Sequence, residues 1–468
     1  MKRILFAAAL VLSGFQAAIA NNIQLSNIHM GGQNATSHFT MISYDVSWEN
    51  SWRTSTNENN YDGAWIFVKY RKVNTSEWRH ATINYSAPGT ATASGHIEPT
   101  GSTIKPAIDG KGIWMYRSAD GIGNVSFAGA QLRWNYGADN VNDNDSVEVR
   151  VFAVEMVYIP GGSFYAGSGG SEAGAFKAGN TTAPYLVSSA GPITVGSSAG
   201  SLSYATFAPN YAGDQAGPIP ATFPNGFGGF WLMKYECSEQ QYADFLNHLD
   251  AARATANFTP PLTGAHPNYL PAVPEHAMDG MSWSNLTAYA DWTGMRPYTE
   301  LEYEKASRGG NISAVPNEYP WGNTTIVPVS TLQNINTISE VPDAFTNCNN
   351  NAASTRRCGV FATPTATRDT AGAGYYGNME LGGNVWEQVV TVGSPAGRAF
   401  TNVNGDGYLD PAGASDISTW IASGVNGARG GGYTASPVYC RISDRTNGIG
   451  LYVATVTTSG IRVARSAE

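Results

Sequence analysis

The chain has 468 residues, enough for two or three domains that each bury a core. Only 13% of residues are charged, while 53 glycines and 11% aromatics favour turns, short strands and irregular loops over long surface helices. A net charge of −9 excludes the clustered Lys and Arg that nucleic acid or an anionic membrane surface would require.

The opening stretch MKRILFAAALVLSGFQAAIA sets Lys2 and Arg3 before an apolar run and ends on the small-residue site Ala18-Ile19-Ala20. This is the layout of a secretory signal over residues 1–20, so the mature chain is expected to start near Asn21. The run is short for a membrane span, and no later segment reaches about 18 consecutive apolar residues. An exported protein is predicted, secreted, periplasmic or at the cell surface, with no membrane span.

Residues 21–154 read as an all-β sandwich. FTMISYDVSW, AWIFVKY, QLRWNY and SVEVRVFAVE are strand-like runs separated by Gly, Asn and Asp turns. AWIFVKY carries apolar residues on both faces, as a central strand does. The polar NVNDNDS segment could offer carboxylates to a cation, but it reads more simply as a turn. VFAVE runs directly into MVYIPGG, so the boundary to a second unit, residues 155–468, lies near Glu155 with little linker. Residues 167–217 are rich in Gly, Ser and Ala and predict a long mobile loop. Three helices follow: Ser238 and Gln241 form a capping box before the stripe Tyr242, Phe245, Leu246 and Leu249; SWSNLTAYADWTG ends at Gly294; and Thr299 with Glu302 caps a third.

The cysteines are Cys237, Cys348, Cys358 and Cys440, and in an exported chain they allow three disulfide pairings. Cys348 and Cys358 flank NNNAASTRR, which favours a local staple. Cys237 and Cys440 are then left to pair with each other or to stay as buried thiols. No CxxC or Cys/His cluster has zinc spacing. Asn402-x-Asn404-x-Asp406-Gly407 has the alternating oxygens that open a calcium loop, without the later acidic ligand.

Seven blocks then occur in order: MVYIPGGSFYAGS, FWLMKYECSEQQYADFLN, MSWSNLTAYADWTGMRPYTELEYEKASRG, YPWGN, LGGNVWEQ, ARGGGY and GIRVARS. Together they resemble the formylglycine-generating (sulfatase-modifying) enzyme family across residues 155–466. The resemblance implies an α+β chain whose C-terminal domain has the C-type lectin-like variant of that family. In active members two cysteines five residues apart bind copper(I) as thiolates, a soft-ligand site that needs both. Here Cys440 falls on the second position and Ala435 on the first, so copper is not expected. The histidine-rich iron motif of another branch is absent. The family's structural calcium site maps onto Glu380, Gly383, Val385 and Glu387, carboxylates and carbonyls of the hard kind calcium takes. Arg441, Asp444 and Arg445 follow Cys440 and could grip a polar ligand or form an internal salt bridge.

The expected function is an exported, non-catalytic binding or surface-assembly protein that takes a glycan, peptide or cell-surface protein as partner. The competing reading is a copper-dependent oxidase that generates formylglycine on sulfatase-type cysteines through Cys440. A diversified ligand binder is a third.

Overall fold

The computed structural model describes residues 23–86, 95–204, 213–350, 352–363, 365–448 and 457–468. The expected secretory signal lies outside these residues. Eight strands come first: β1 (Gln24–Asn34), β2 (Phe39–Arg53), β3 (Tyr61–Lys72), β4 (Arg79–His80), β5 (Ser102–Pro106), β6 (Ile113–Arg117), β7 (Gly121–Trp134) and β8 (Val147–Ile159). β2 pairs antiparallel with β1 and β7, while β3 pairs with β8 on one side and with β4 and β6 on the other. The two layers close over one core, in which Ile42, Tyr44 and Trp48 of β2 meet Ile66 and Val68 of β3 and Phe127 and Leu132 of β7.

Period-two alternation sends the other face of β3 elsewhere. Trp65 and Phe67, with Val154 and Met156 of β8, enter a second and larger core shared with the C-terminal part. This double burial is why AWIFVKY is apolar on both faces. β8 runs unbroken through Glu155. Residues 147–158 pair with β3, and residues 156–159 also pair with β9 (Phe230–Met233).

The C-terminal part is held by four short helices, α1 (Glu239–Asn247), α2 (Ala251–Asn257), α3 (Trp283–Trp292) and α4 (Glu300–Arg308), and by short strands including β10 (Glu387–Val390), β11 (Asn426–Arg429) and β12 (Ala464–Ser466). β12 completes the sheet beside β9. The helix starts follow from local hydrogen bonding. Ser238 with Gln241, Ser282 with Asn285, and Thr299 with Glu302 each form a reciprocal capping box. The architecture is α+β, with strands predominating. Among the described residues no helix is long and apolar enough to cross a membrane.

The long mobile loop expected at 167–217 is corrected where it is described. Short strands at Lys177–Ala178, Tyr185–Val187 and Leu202–Ser203 cross it. Phe176, Val187, Ile193, Leu202 and Tyr204 anchor it in the larger core. A few widely spaced apolar side chains suffice, and composition averaged over the stretch conceals them.

Candidate functional site

The stretch 380–387 enters β10 through a tight curl, with positive φ at Glu380 (53°), Gly383 (91°) and Asn384 (59°). Glu380 Oε1 accepts from the Gly359 amide at 2.8 Å, while its buried Oε2 has no partner. Glu387 accepts from Arg462 Nε and from the Tyr298 hydroxyl, both at 2.7 Å. A third carboxylate, Glu236, was not singled out in the sequence. Its Oε1 accepts from the Val385 amide at 3.1 Å and its Oε2 from the Asn384 side-chain amide. The available signal was an acidic residue inside the largely apolar block FWLMKYEC, beside Lys234.

All three carboxylates are buried, and the Arg462 guanidinium that pairs with Glu387 is buried with them. Burial pushes Glu236 well up, with Glu380 and Glu387 adding like charge. Glu380 is pushed up to about 7 by the same burial, against the pull of Arg462. Burial also raises Glu387. These carboxylates are desolvated, and Glu380 Oε2 has no partner among the described residues, but the three do not bring their oxygens within 4.8 Å of one another as Asp291, Asp406 and Asp416 do.

Cys440 ends a 3-10 turn, Pro437–Cys440, and is fully buried. Ala435 packs with Trp386 and Ala428. All four cysteines are thiols: the expected Cys348–Cys358 staple is corrected, while Cys237 and Cys440 are buried thiols, one of the two outcomes left open for them. Cys348 Sγ faces Cys440 Sγ at 3.9 Å, whereas Cys358 Sγ points to the Glu236 carbonyl at 3.4 Å and Cys237 Sγ to that of Ser238 at 3.6 Å. The two ends of NNNAASTRR are pulled apart. Asn349 O accepts from the Asn384 amide at 2.7 Å, while the Cys358 amide donates to Glu275 O at 2.9 Å.

Arg445 is fully buried and forks onto Glu300 at 2.7 and 2.9 Å, beneath the rings of Phe176 and Tyr204. Glu300 also accepts from Arg429, which reaches Glu304, itself paired with Arg308. Arg445 is thus part of an internal network. Asp444 is buried, accepts from the Thr446 amide at 3.0 Å, and is raised by burial. Arg441 keeps partial exposure and donates to Asn317 at 3.0 Å.

Asp406 joins Asp291 and Asp416, with carboxylate oxygens within 4.8 Å of one another. Asn404 Oδ1 accepts from the Ser466 amide at 3.5 Å, the Asn402 carbonyl from the Ser466 hydroxyl at 3.4 Å, and Asp406 Oδ1 from the Tyr408 amide at 2.9 Å. The NVNDNDS turn is held by Asp143 against His38 and by Asp145 against Lys72. A cleft of 320 Å³ opens between α2 and α3, lined by Asn257, Phe258, Ser282, Asn285 and Gly413. Phe258 is 38% exposed and stacks on Tyr269.

A family model described as the sulfatase-modifying factor enzyme 1-like domain matches residues 143–467. The formylglycine-generating enzyme of Thermomonospora curvata is 30% identical over 127 residues, covering 24% of this chain and 33% of that protein. That of Bos taurus is 33% identical over 104 residues, 21% of this chain and 26% of that protein. The inactive C-alpha-formylglycine-generating enzyme 2 of Mus musculus is 31% identical over 137 residues, 29% of this chain and 38% of that protein. The chain therefore spans 26–38% of the lengths of these relatives. Among solved structures, Treponema denticola variable protein 1 aligns at 13% identity with a TM-score of 0.31, over 67% of this chain and 96% of that one.

Proposed function

We propose a non-catalytic binding role for this chain, which belongs to the sulfatase-modifying factor enzyme 1-like domain family. The observation that carries the reading is at positions 435 and 440. The first is a methyl group, and the second is a thiol with no solvent exposure. A thiol sealed under the Gly-rich loops cannot meet a substrate cysteine, and oxidation by a copper pair needs a second thiolate at position 435. The inactive mouse relative supports a family fold without the family's chemistry.

In this reading residues 155–468 form a C-type lectin-like scaffold, exported and displayed beside the β layers, whose ligand is a glycan, a peptide or a cell-surface protein. The cleft between α2 and α3 supports it, since an exposed Phe258 ring beside Asn257, Ser282 and Asn285 offers both stacking and hydrogen bonding. Calcium would be held by Glu380, Gly383, Val385 and Glu387 and would supply a fixed charge that ties the 380–387 loop in place.

The decisive experiment incubates purified protein with a sulfatase-type cysteine peptide, copper(I) and oxygen. No aldehyde product is expected. Aldehyde that disappears in Cys440→Ala overturns the proposal and restores the oxidase reading.

A further inference from the structure

Cys348 and Cys440 are 92 positions apart in the chain, yet their sulfurs are 3.9 Å apart, both in full burial. Glycines clear the space around them. A Cβ on Gly383 would stand 2.6 Å from Cys348 Sγ, and one on Gly431 would stand 3.0 Å from Cys440 Sγ. The two glycine loops are tied by the Gly383 amide donating to Gly430 O at 2.8 Å. The stacked rings of Tyr319 and Trp321 complete the pocket. Burial, with the neighbouring sulfur adding to it, holds the Cys348 thiol far above its ordinary range. The Cys348 thiol therefore stays protonated, and so inert, while the fold is closed.

We propose that Cys348 and Cys440 are oxidised to a disulfide that pins the 323–357 segment onto the stretch from Tyr433 to Cys440. The oxidant is a disulfide of the glutathione class or a thiol–disulfide oxidoreductase. One cysteine thiolate attacks that disulfide and releases one thiol. The second cysteine then displaces the other, so the protein loses two protons and two electrons, and two reagent thiols are formed. Closing the bond brings the sulfurs from 3.9 Å to about 2 Å. Exchange proceeds during folding or local opening, when the sulfurs are accessible. The bond replaces the expected Cys348–Cys358 staple with a cross-link between the two loops that surround position 435, and it does not depend on the binding role.

The test is a thiol count under denaturing conditions on the full chain, before and after refolding from denaturant in oxidised glutathione, with mass mapping of linked peptides. Two of the four thiols are expected to remain after oxidation, with one linked pair, Cys348 to Cys440. A variant carrying Cys237→Ala and Cys358→Ala should lose all thiols. Should that variant fail to fold, the mapping of the parent chain still decides. Four persisting thiols, a Cys348–Cys358 link, or stoichiometric copper(I) on the two sulfurs that blocks oxidation would each overturn the proposal.

Discussion

Lys234→Met should be among the most damaging single changes in this protein. Lys234 Nζ stands 3.0 Å from Asp62 Oδ2 and 3.0 Å from Glu155 Oε2, with all three side chains at most 3% exposed. The three residues bring together β3, β8 and the end of β9. Burial pushes Glu155 up to about 8, with Asp62 adding to the rise and Lys234 opposing it. Asp62, the other partner of Lys234, is also braced by Trp48 Nε1 at 2.9 Å and by Ser51 Oγ at 2.7 Å. Methionine keeps the stem but strands that buried carboxylate. Removing one member of a buried pair in this way costs roughly 3–5 kcal/mol. Urea unfolding followed by tryptophan fluorescence at pH 7 measures it. Lys72→Met, which breaks a part-exposed pair with Asp145 and a bond to the Asn140 carbonyl, serves as a control and should cost under about 1 kcal/mol. A Lys234→Met protein within about 1 kcal/mol of the parent at pH 7 would refute the reasoning.

In calcium-free buffer, the raised Glu380 means that the folded state holds protons the unfolded chain releases. Stability should therefore be greatest below pH 4.5 for this group and be lost as pH rises through about 7. Added calcium should raise the melting temperature more at pH 8 than at pH 5, and Glu380→Gln should abolish that difference; an unchanged calcium response in the variant counts against the site. Gly383→Ala puts a Cβ 2.6 Å from Cys348 Sγ at φ +91° and should cost about 1–3 kcal/mol, seen as a lower calorimetric midpoint. Arg445→Lys gives up the fork onto Glu300 and the bond to Gly174 O, with an expected loss of about 2–4 kcal/mol. Limited proteolysis should then cut residues 167–204 faster than in the parent, and unchanged cleavage would show that Arg445 does not hold that segment.

What could be read from the sequence was what is decided locally. The Ser238 and Thr299 caps are three-residue devices, and both form as the spacing requires. AWIFVKY was legible as a strand buried on both faces, but not that its second face belongs to the other core, because alternation specifies burial and not its partner. Chain separation misled for the cysteines. The nine-residue spacing between Cys348 and Cys358 counted for less than the Asn349 and Glu275 backbone bonds that turn the two sulfurs apart. Glu236 was invisible because a buried acid has meaning only beside the loop it caps.

The buried arginines explain how so irregular a chain holds together, and why its ligand-gripping candidates turned inward. Loops without strand or helix partners leave carbonyls that must still be satisfied once buried. Arg462 donates to Met233 O and Met379 O, Arg429 to Ile442 O, Arg445 to Gly174 O, and Arg308 to Tyr165 O. Each of these guanidiniums is also paired with a buried carboxylate, Glu387, Glu300 or Glu304, so its charge is compensated where it works. A planar fork with five donors can bond a carbonyl and a carboxylate at once, which an ammonium does poorly. With only 27 Lys and Arg in the chain, those committed to the interior are withdrawn from the surface. In the proposed binding role, recognition on the outside would then fall to amides, hydroxyls and rings such as Phe258, the chemistry suited to a neutral sugar or peptide backbone.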